Sequence, residues 1–148
     1  MSIKVISVNI SREKGTIKTP VPEIVLNDKG VDGDAHAGDW HRQVSLLAKE
    51  SMEKWSTQAG RKVNWGEFAE NITTEGITLY ETHPGDRLVI GETELEVTQI
   101  GKKCHGKGCA IFKEVGNCVM PAEGIFAKVI RHGTIKADDE ITCIPASQ

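Results

Sequence analysis

The clearest structural pattern in the sequence is the stretch DRLVIGETELEVTQI, residues 86–100. Apolar and polar residues alternate from Asp86 to Ile90 and again from Glu94 to Ile100, which is the period-two pattern of half-buried strands. Gly91-Glu92 between the two runs is typical of a tight turn, so the stretch predicts a β-hairpin. A hairpin alone leaves two unpaired edges, and further strands are therefore needed on either side.

The rest of the chain supplies those strands and one helix. Alternating or β-branched runs predict strands on both sides of the hairpin, at Ile3 to Ile10, Val21 to Leu26, the end of WGEFAENITTEGI (65–77), Ile125 to Ile130 and Glu140 to Ile144. The apolar run Val44 to Ala48 leads into Lys49 to Ala59, where apolar residues recur at helical spacing. Gly60 is a suitable C-terminal stop for that helix.

At least seven short strands, one clear helix and 15 glycines predict a mainly β fold. The expected architecture is a closed or nearly closed β-barrel with one or two short helices, because closure removes sticky edges. Ala110 to Val115 is the candidate for the second, very short helix. A ferredoxin-like α+β fold would need a second good helix, which the pattern lacks. With 148 residues, the chain is expected to form one domain, 1–148.

Charge and hydropathy exclude several classes of partner. The formal net charge is −3, so no overall positive field would recruit nucleic acid or an anionic membrane. No run of about 18 apolar residues is long enough to span a bilayer. The first residues alternate like a strand and carry no cleavage site, so a cytoplasmic location is expected. The four cysteines are then expected to be free, metal-bound or reactive.

The segment GKKCHGKGCAIF, residues 101–112, is the leading candidate for chemistry. Cys104 follows two lysines at the end of a predicted strand, and nearby positive charge favours the reactive thiolate. The alternatives are a structural thiol and a zinc site built from Cys104, His105, Cys109 and Cys118. The spacing of those residues is poor for zinc, which favours two closely spaced ligand pairs. Cys118 is expected to be packed.

Two further stretches carry candidate binding residues. In DGDAHAGDWHRQV, residues 32–44, Arg42 could clamp an anion and His36 could donate a hydrogen bond to it. A metal at the acid and histidine cluster, or a solvated loop with Asx turns, remains an alternative for this stretch. Asn71 in FAENITTEGI has a capping or turn role as its simplest interpretation. Lys128 and Arg131, on or after a predicted strand, could face an anion or form the solvent face of that strand.

These pieces, in this order, resemble the MOSC domain, named for the C-terminal domain of molybdenum-cofactor sulfurase. The resemblance runs from about Val5 to Ile144 and is carried by four stretches: GVDGDAHAGDWHRQVSLLA, GEFAENITTEGI, the hairpin continued through QIGKKCH, and CVMPAEGIFAKVIRHGTIKADDEI. Two turn positions depart from the family pattern, with Asp138-Asp139 in place of Gly-Asp and His132-Gly133 in place of Gly-Gly.

The resemblance implies a β-barrel with a role linked to the molybdenum cofactor. The family's cysteine after a barrel strand corresponds to Cys104, which would carry sulfur as a persulfide or ligate molybdenum. Candidate contacts to molybdopterin are drawn from the matching motifs and from neighbouring basic residues, namely Asp34, His36, Arg42, Asn71, Lys103, Lys128 and Arg131. No pyridoxal-phosphate site of its own is expected.

The resemblance also implies partners. A cysteine desulfurase would donate sulfur, and a molybdoenzyme or a cofactor-synthesis protein would accept it, so any sulfur-transfer activity would need a partner. Two alternatives stay open: a reductase-type domain in which Cys104 is a permanent molybdenum ligand, and a non-catalytic thiol or zinc-binding scaffold.

Overall fold

A computed structural model of the chain describes residues 3–12, 17–35, 37–60, 62–101 and 123–146. These residues form eleven strands, one α-helix (α1) and a short 3₁₀ helix. In chain order they are β1 (Lys4–Ile10), β2 (Thr19–Val21), β3 (Glu23–Asn27), β4 (Gly30–Val31), β5 (Val44–Ala48), α1 (Lys49–Ala59), β6 (Ile72–Glu75), the 3₁₀ helix (Leu79–Glu81), β7 (Arg87–Ile90), β8 (Thr93–Ile100), β9 (Ile125–Arg131), β10 (Gly133–Lys136) and β11 (Ile141–Ile144).

Eight strands form one sheet in the order β11–β7–β8–β9–β5–β6–β1–β2. Neighbours in it are antiparallel except β5 and β6, which are parallel. A parallel pair needs a crossover connection, and α1 lies within it. The remaining strands form a three-stranded antiparallel sheet in the order β10–β3–β4.

The mainly β prediction is confirmed, whereas the closed barrel is not, because the strand order has edges at β11 and β2. The two ends of the large sheet nevertheless approach each other. Lys4 and Glu140 form an isolated antiparallel bridge, and the Ile141 N–H donates to the Ile3 carbonyl at 2.8 Å. From Val8 onward that side of β1 is occupied by β2, so only the first residues of β1 are left for this contact.

One apolar core lies between the two sheets. The large sheet contributes residues such as Leu46 and Leu95, and the small sheet contributes Leu26 and Ile135, all of them buried. A second cluster packs α1 against the other face of β5, with Trp55 and Phe68 edge-to-face at 5.1 Å between ring centroids. Every residue of β5 is therefore buried, which explains its largely apolar sequence, and the one polar side chain, Ser45, donates a hydrogen bond to the Ala69 carbonyl at 3.1 Å.

Several predicted elements match the structure closely. The helix spans Lys49–Ala59 as expected, and Gly60 ends it with φ +73° and an N–H donated to the Ser56 carbonyl at 2.9 Å. The predicted hairpin is β7 and β8, with Gly91 at φ +57° in the turn. None of the helices in the described ranges is long and apolar enough to cross a membrane.

The outer edge of β10 is covered by carboxylates. The Thr134 and Lys136 N–H groups, which point away from β3, donate to Glu92 Oε2 and Asp139 Oδ2, each at 3.0 Å. Gly133 lies close to the same glutamate, since a Cβ there would lie 2.5 Å from Glu92 Cγ. This edge therefore offers few free donors to another strand.

Candidate functional site

A buried ion pair supports the loop between β4 and β5. Lys18 Nζ donates to Asp34 Oδ1 at 2.8 Å, and both side chains are fully buried. The Ser11 backbone N–H donates to the same oxygen at 3.0 Å, so the pair also holds the chain after β1. The side chain of Asp34 is thus buried beneath the loop to which it belongs, and its predicted contact with a cofactor stays a prediction.

Gln43 fixes the other end of this loop. Its Nε2 donates to the carbonyls of Asp28 and Gly38, at 2.9 and 3.0 Å. Its Oε1 accepts the Val129 N–H at 2.9 Å, which connects the loop to β9. With all these groups bonded, the loop backbone is held from two sides and can present its remaining side chains in a set position.

Asn71 serves as a buried connector between strands. Its Oδ1 accepts the backbone N–H of Ser45 at 3.0 Å, and its Nδ2 donates to the Asn9 carbonyl at 3.2 Å. The Asn71 backbone N–H in turn donates to the Ser45 carbonyl at 2.9 Å. These bonds tie β1, β5 and the start of β6 together, and the predicted cofactor contact of Asn71 remains untested.

Glu70, beside Asn71, is a buried carboxyl group held by local donors. Its oxygens accept the Gly66 N–H at 2.8 Å, the Thr73 hydroxyl at 2.8 Å and the Phe68 N–H at 3.2 Å. Burial raises the pKa of Glu70, while the hydrogen bonds from Gly66 and Thr73 act in the opposite direction. Glu70 therefore organises the turn before β6.

Arg42 is the charged centre of the exposed side of the loop. Its guanidinium lies 5.8 Å from the ring centroid of Trp40 and 5.5 Å from that of Phe126. Its Nε donates to Gln99 Oε1 at 3.1 Å. Within the part of the chain that the structure describes, no carboxylate pairs with Arg42, and its two terminal nitrogens have no hydrogen-bond acceptor. Arg42 is thus held through its Nε, and its two terminal nitrogens are available to bind an anion.

Gln99 links this arginine to its neighbours. Its Oε1 also lies 2.9 Å from Nε2 of the exposed His41, and its Nε2 donates to the Gly101 carbonyl at 2.6 Å. The Thr98 hydroxyl donates to the His41 carbonyl. The end of β8 therefore fixes both His41 and Arg42.

Residues 102–122 follow this cluster directly and lie outside the described residues. Their two flanks are joined, since the Gly101 N–H donates to the Gly124 carbonyl at 2.7 Å. Glu123 accepts hydrogen bonds from Ser51 and Lys54 of α1. Burial would raise the pKa of Glu123, but these two bonds and the positive charge of Lys54 together outweigh it, and the pKa is lowered.

The predicted site residues fall into three groups. Cys104, Lys103 and His36 lie outside the described residues, as do the alternative zinc ligands His105, Cys109 and Cys118. Arg42 stands at the cluster just described, and Asp34 and Asn71 lie buried beneath the same region. Lys128 is exposed on β9.

Arg131 is not brought to this cluster. It lies at the far end of β9, about 20 Å along the strand from Ile125 at the usual rise per residue. Its guanidinium donates to the Glu92 carbonyl at 2.9 Å and lies 3.7 Å from Glu94 Oε1. Its positive charge is thus partly compensated where it stands.

The described residues hold no group of three or more metal-ligating side chains. Cys143, the cysteine within the described ranges, is half-buried, and burial followed by the nearby charge of Asp86 raises the pKa of its thiol. A raised pKa makes a reactive thiolate less favourable there.

Three partners of Arg42 were missed at the sequence level as site residues, namely Trp40, Phe126 and Gln99. Trp40 lies two positions before the arginine in the quoted loop, and that nearness was the available signal. Gln99 gave no signal, because a polar residue near a strand end is ordinary. The pairing of β8 with β9, and of β9 with β5, brings it under the loop that leads into β5.

Comparisons with known proteins agree with this architecture. A family model described as the MOSC domain matches residues 32–142. Among solved structures, the YuaD protein from Bacillus subtilis superposes with a TM-score of 0.82 at 18% identity, covering 100% of this chain and 98% of that chain. A search of the curated proteins finds no match.

YiiM proteins from two bacteria are similar as well. The protein from Geobacillus stearothermophilus gives a TM-score of 0.73 at 20% identity, over 96% of this chain and 75% of that chain. The protein from Escherichia coli gives 0.68 at 20% identity, over 95% and 69%. At these identities the likeness shows a shared fold.

Proposed function

Because the chain belongs to the MOSC domain family, we propose that it is a molybdenum-cofactor-related module. In this proposal it binds the phosphate-bearing molybdopterin of the cofactor at Arg42 and carries sulfane sulfur on Cys104 for delivery to a metal centre. A cysteine desulfurase is the proposed donor, a molybdoenzyme or cofactor-synthesis protein the proposed acceptor, and the cytoplasm the proposed location.

The observation that carries the proposal is the half-buried guanidinium of Arg42, with which no carboxylate of the described ranges pairs. The bond from Nε to Gln99, at 3.1 Å, leaves the four N–H donors of the two terminal nitrogens without an acceptor among the described residues. That donor set matches the paired oxygens of a phosphate, which arginine binds through parallel hydrogen bonds. The residues present thus fit the anionic end of the cofactor, which when bound would supply molybdenum and its redox chemistry.

The length of the chain between Gly101 and Cys104 limits the distance from the Arg42 cluster to the proposed sulfur carrier. Gly101 accepts a hydrogen bond from Gln99 at 2.6 Å, and Gln99 also holds Arg42. Three residues of chain span at most about 11 Å, so Cys104 is tethered within that distance of Gly101. A ligand anchored on Arg42 would therefore be within reach of the thiol.

The sulfur-transfer step is a thiol exchange. The Cys104 thiolate would attack the outer sulfur of a persulfide on the donor, forming a new S–S bond as the donor's S–S bond breaks and its thiolate leaves. The lysines before Cys104 in the sequence would favour the attacking thiolate. No oxidant or reductant is consumed in this step.

The test is intact-mass and metal analysis after incubation with a cysteine desulfurase and cysteine. The unmodified sequence should gain the mass of one sulfur atom, Cys104→Ser should gain none, and Cys118→Ser, the matched control, should retain the gain. Sulfur retained by Cys104→Ser would remove that residue from the proposal. Molybdenum that copurifies with the chain and is lost in Cys104→Ser would instead favour the reductase-type alternative, in which Cys104 is a permanent ligand.

A further inference from the structure

Gln99 meets Arg42 as a neutral hydrogen-bond acceptor. Arg42 Nε can only donate and the Gly101 carbonyl can only accept, so the amide of Gln99 between them has one orientation. Its Oε1 faces Arg42 Nε at 3.1 Å, and its Nε2 faces the Gly101 carbonyl at 2.6 Å. Oε1 also lies 2.9 Å from His41 Nε2. The acceptor of Arg42 is thus an uncharged oxygen that two further residues hold in place.

A neutral acceptor can position Arg42 without cancelling its charge. A carboxylate in the same place would form an ion pair with the guanidinium. Two acidic residues of the surrounding elements are paired elsewhere, Asp39 with Lys29 and Glu96 with Arg87 at 3.5 Å. The described residues therefore leave the positive charge of Arg42 uncompensated, although its side chain is half-buried.

The bond from Gln99 also decides which edge of the guanidinium an anion can use. A guanidinium binds an oxyanion through two neighbouring donors, either side-on, with Nε and one terminal nitrogen, or end-on, with the two terminal nitrogens. In Arg42, Nε is bonded to Gln99, and the rings of Trp40 and Phe126 lie with their centroids 5.8 and 5.5 Å from Cζ. The side-on edge is thus occupied, and the end-on edge has no acceptor among the described residues.

We propose that Gln99 is the positioning residue of the Arg42 site, and that it makes the site bind a tetrahedral oxyanion end-on, through the two terminal nitrogens of the guanidinium. Gln99 does not touch the anion in this arrangement and acts only through Arg42. The inference rests on the proposed function, for which it specifies how the phosphate-bearing end of the ligand is bound.

Nitrogen NMR of the protein with isotope-labelled arginine tests the binding edge directly. Inorganic sulfate serves as the tetrahedral probe, and the side-chain signals of Arg42 are assigned with Arg42→Lys. We expect sulfate to shift the terminal nitrogens of Arg42 more than its Nε–H, because the bond from Nε to Gln99 is kept when the anion binds. An Nε–H signal that moves as much as the terminal signals would overturn the end-on assignment.

Gln99→Met removes the acceptor and keeps a side chain of similar length. Nε of Arg42 can then join a terminal nitrogen in binding the anion, so sulfate should now shift the Nε–H signal. The dissociation constant for sulfate should rise at least about threefold, because the guanidinium is no longer held in one orientation before binding. An Nε–H signal that stays as insensitive to sulfate as in the unmodified protein would show that Gln99 does not decide the binding edge.

Gln99→Glu keeps an acceptor for Arg42 and adds a negative charge. At about pH 7 the dissociation constant for sulfate should rise at least about tenfold, because the carboxylate cancels the charge of the guanidinium. Gln58→Glu is the matched control. Gln58 is exposed on α1, so the same added charge there should change the constant by less than about twofold. Equal effects of the two variants would refute the requirement for a neutral acceptor.

The outcomes distinguish failure of this inference from failure of the proposed function. If sulfate binds to Arg42 but neither Gln99 variant alters the binding, the positioning role is refuted and the anion site at Arg42 stands. If sulfate shifts no signal of Arg42 in the unmodified protein, the anion site of the proposed function fails together with this inference. None of these measurements involves Cys104, so the sulfur-carrier proposal is tested separately.

Discussion

Substituting Asp34 by asparagine tests whether the loop rests on its buried ion pair. The change preserves the shape of the side chain and an oxygen that can accept from Ser11. It removes the negative charge that lies 2.8 Å from Lys18 Nζ. Because both side chains are fully buried, water cannot replace the lost charge.

The expected loss in the free energy of unfolding is about 3–5 kcal/mol, the usual cost of breaking a buried pair by removing one partner. Asp138→Asn is the matched control. Asp138 is 85% exposed and lies 3.8 Å from Lys4, so its loss should cost less than about 1 kcal/mol. Asparagine also tolerates the positive φ of 76° at that position.

Urea denaturation followed by circular dichroism measures both values. The double variant Lys18→Met, Asp34→Asn should recover most of the loss, because it removes both charges of the pair together. If Asp34→Asn and Asp138→Asn destabilise the protein equally, the ion pair does not support the loop. If Asp34→Asn instead abolishes molybdopterin binding without any loss of stability, Asp34 is a cofactor contact, as the sequence predicted.

Two further predictions concern the turn beneath the loop. Burial raises the pKa of Glu70, so the folded state binds its proton more tightly than the unfolded chain and loses stability as the pH rises through that pKa. In urea titrations, the stability advantage of the unmodified protein over Glu70→Gln should therefore be larger at about pH 5 than at about pH 8. An advantage that grows with pH would contradict the burial argument. Gly66→Ala would place a Cβ 2.3 Å from the Lys18 carbonyl oxygen at φ +86°, whereas Gly60→Ala at φ +73° meets nothing within 4 Å. Both carry backbone strain, so Gly66→Ala should cost about 2 kcal/mol more than Gly60→Ala in thermal or urea unfolding, and equal costs would show that the turn can move away.

The elements predicted from the sequence are those with a clear period or a clear stop. The hairpin of β7 and β8 and the helix ending at Gly60 were both predicted within a few residues. The strands β2 and β4 were missed because two or three residues are too few for a period to show, and β10 was missed because Gly133, its first residue, was interpreted as a turn position. Barrel closure depends on where β2 ends its pairing with β1, which no local pattern encodes.

The candidate site, like the fold, was predictable from the sequence only in part. Arg42 was recognised because its residue type suits an anion. The structure adds the absence of a carboxylate partner for it among the described residues. Gln99 lies 57 positions from Arg42 in sequence and meets it through two strand pairings, β8 with β9 and β9 with β5. The burial of Asp34 and Asn71 likewise follows from long-range contacts, with Lys18 and Asn9.

The carboxylates along β10 also bear on how copies of this chain coexist in a crowded solution. Glu92 and Asp139 act as side-chain substitutes for a neighbouring strand, and each occupies one outward N–H. Protection of this kind resides in two residues, so a substitution as small as Glu92→Ala would expose a donor for cross-strand pairing. A single substitution on this edge can thus change whether the protein stays monomeric or assembles edge to edge, and the core need not change.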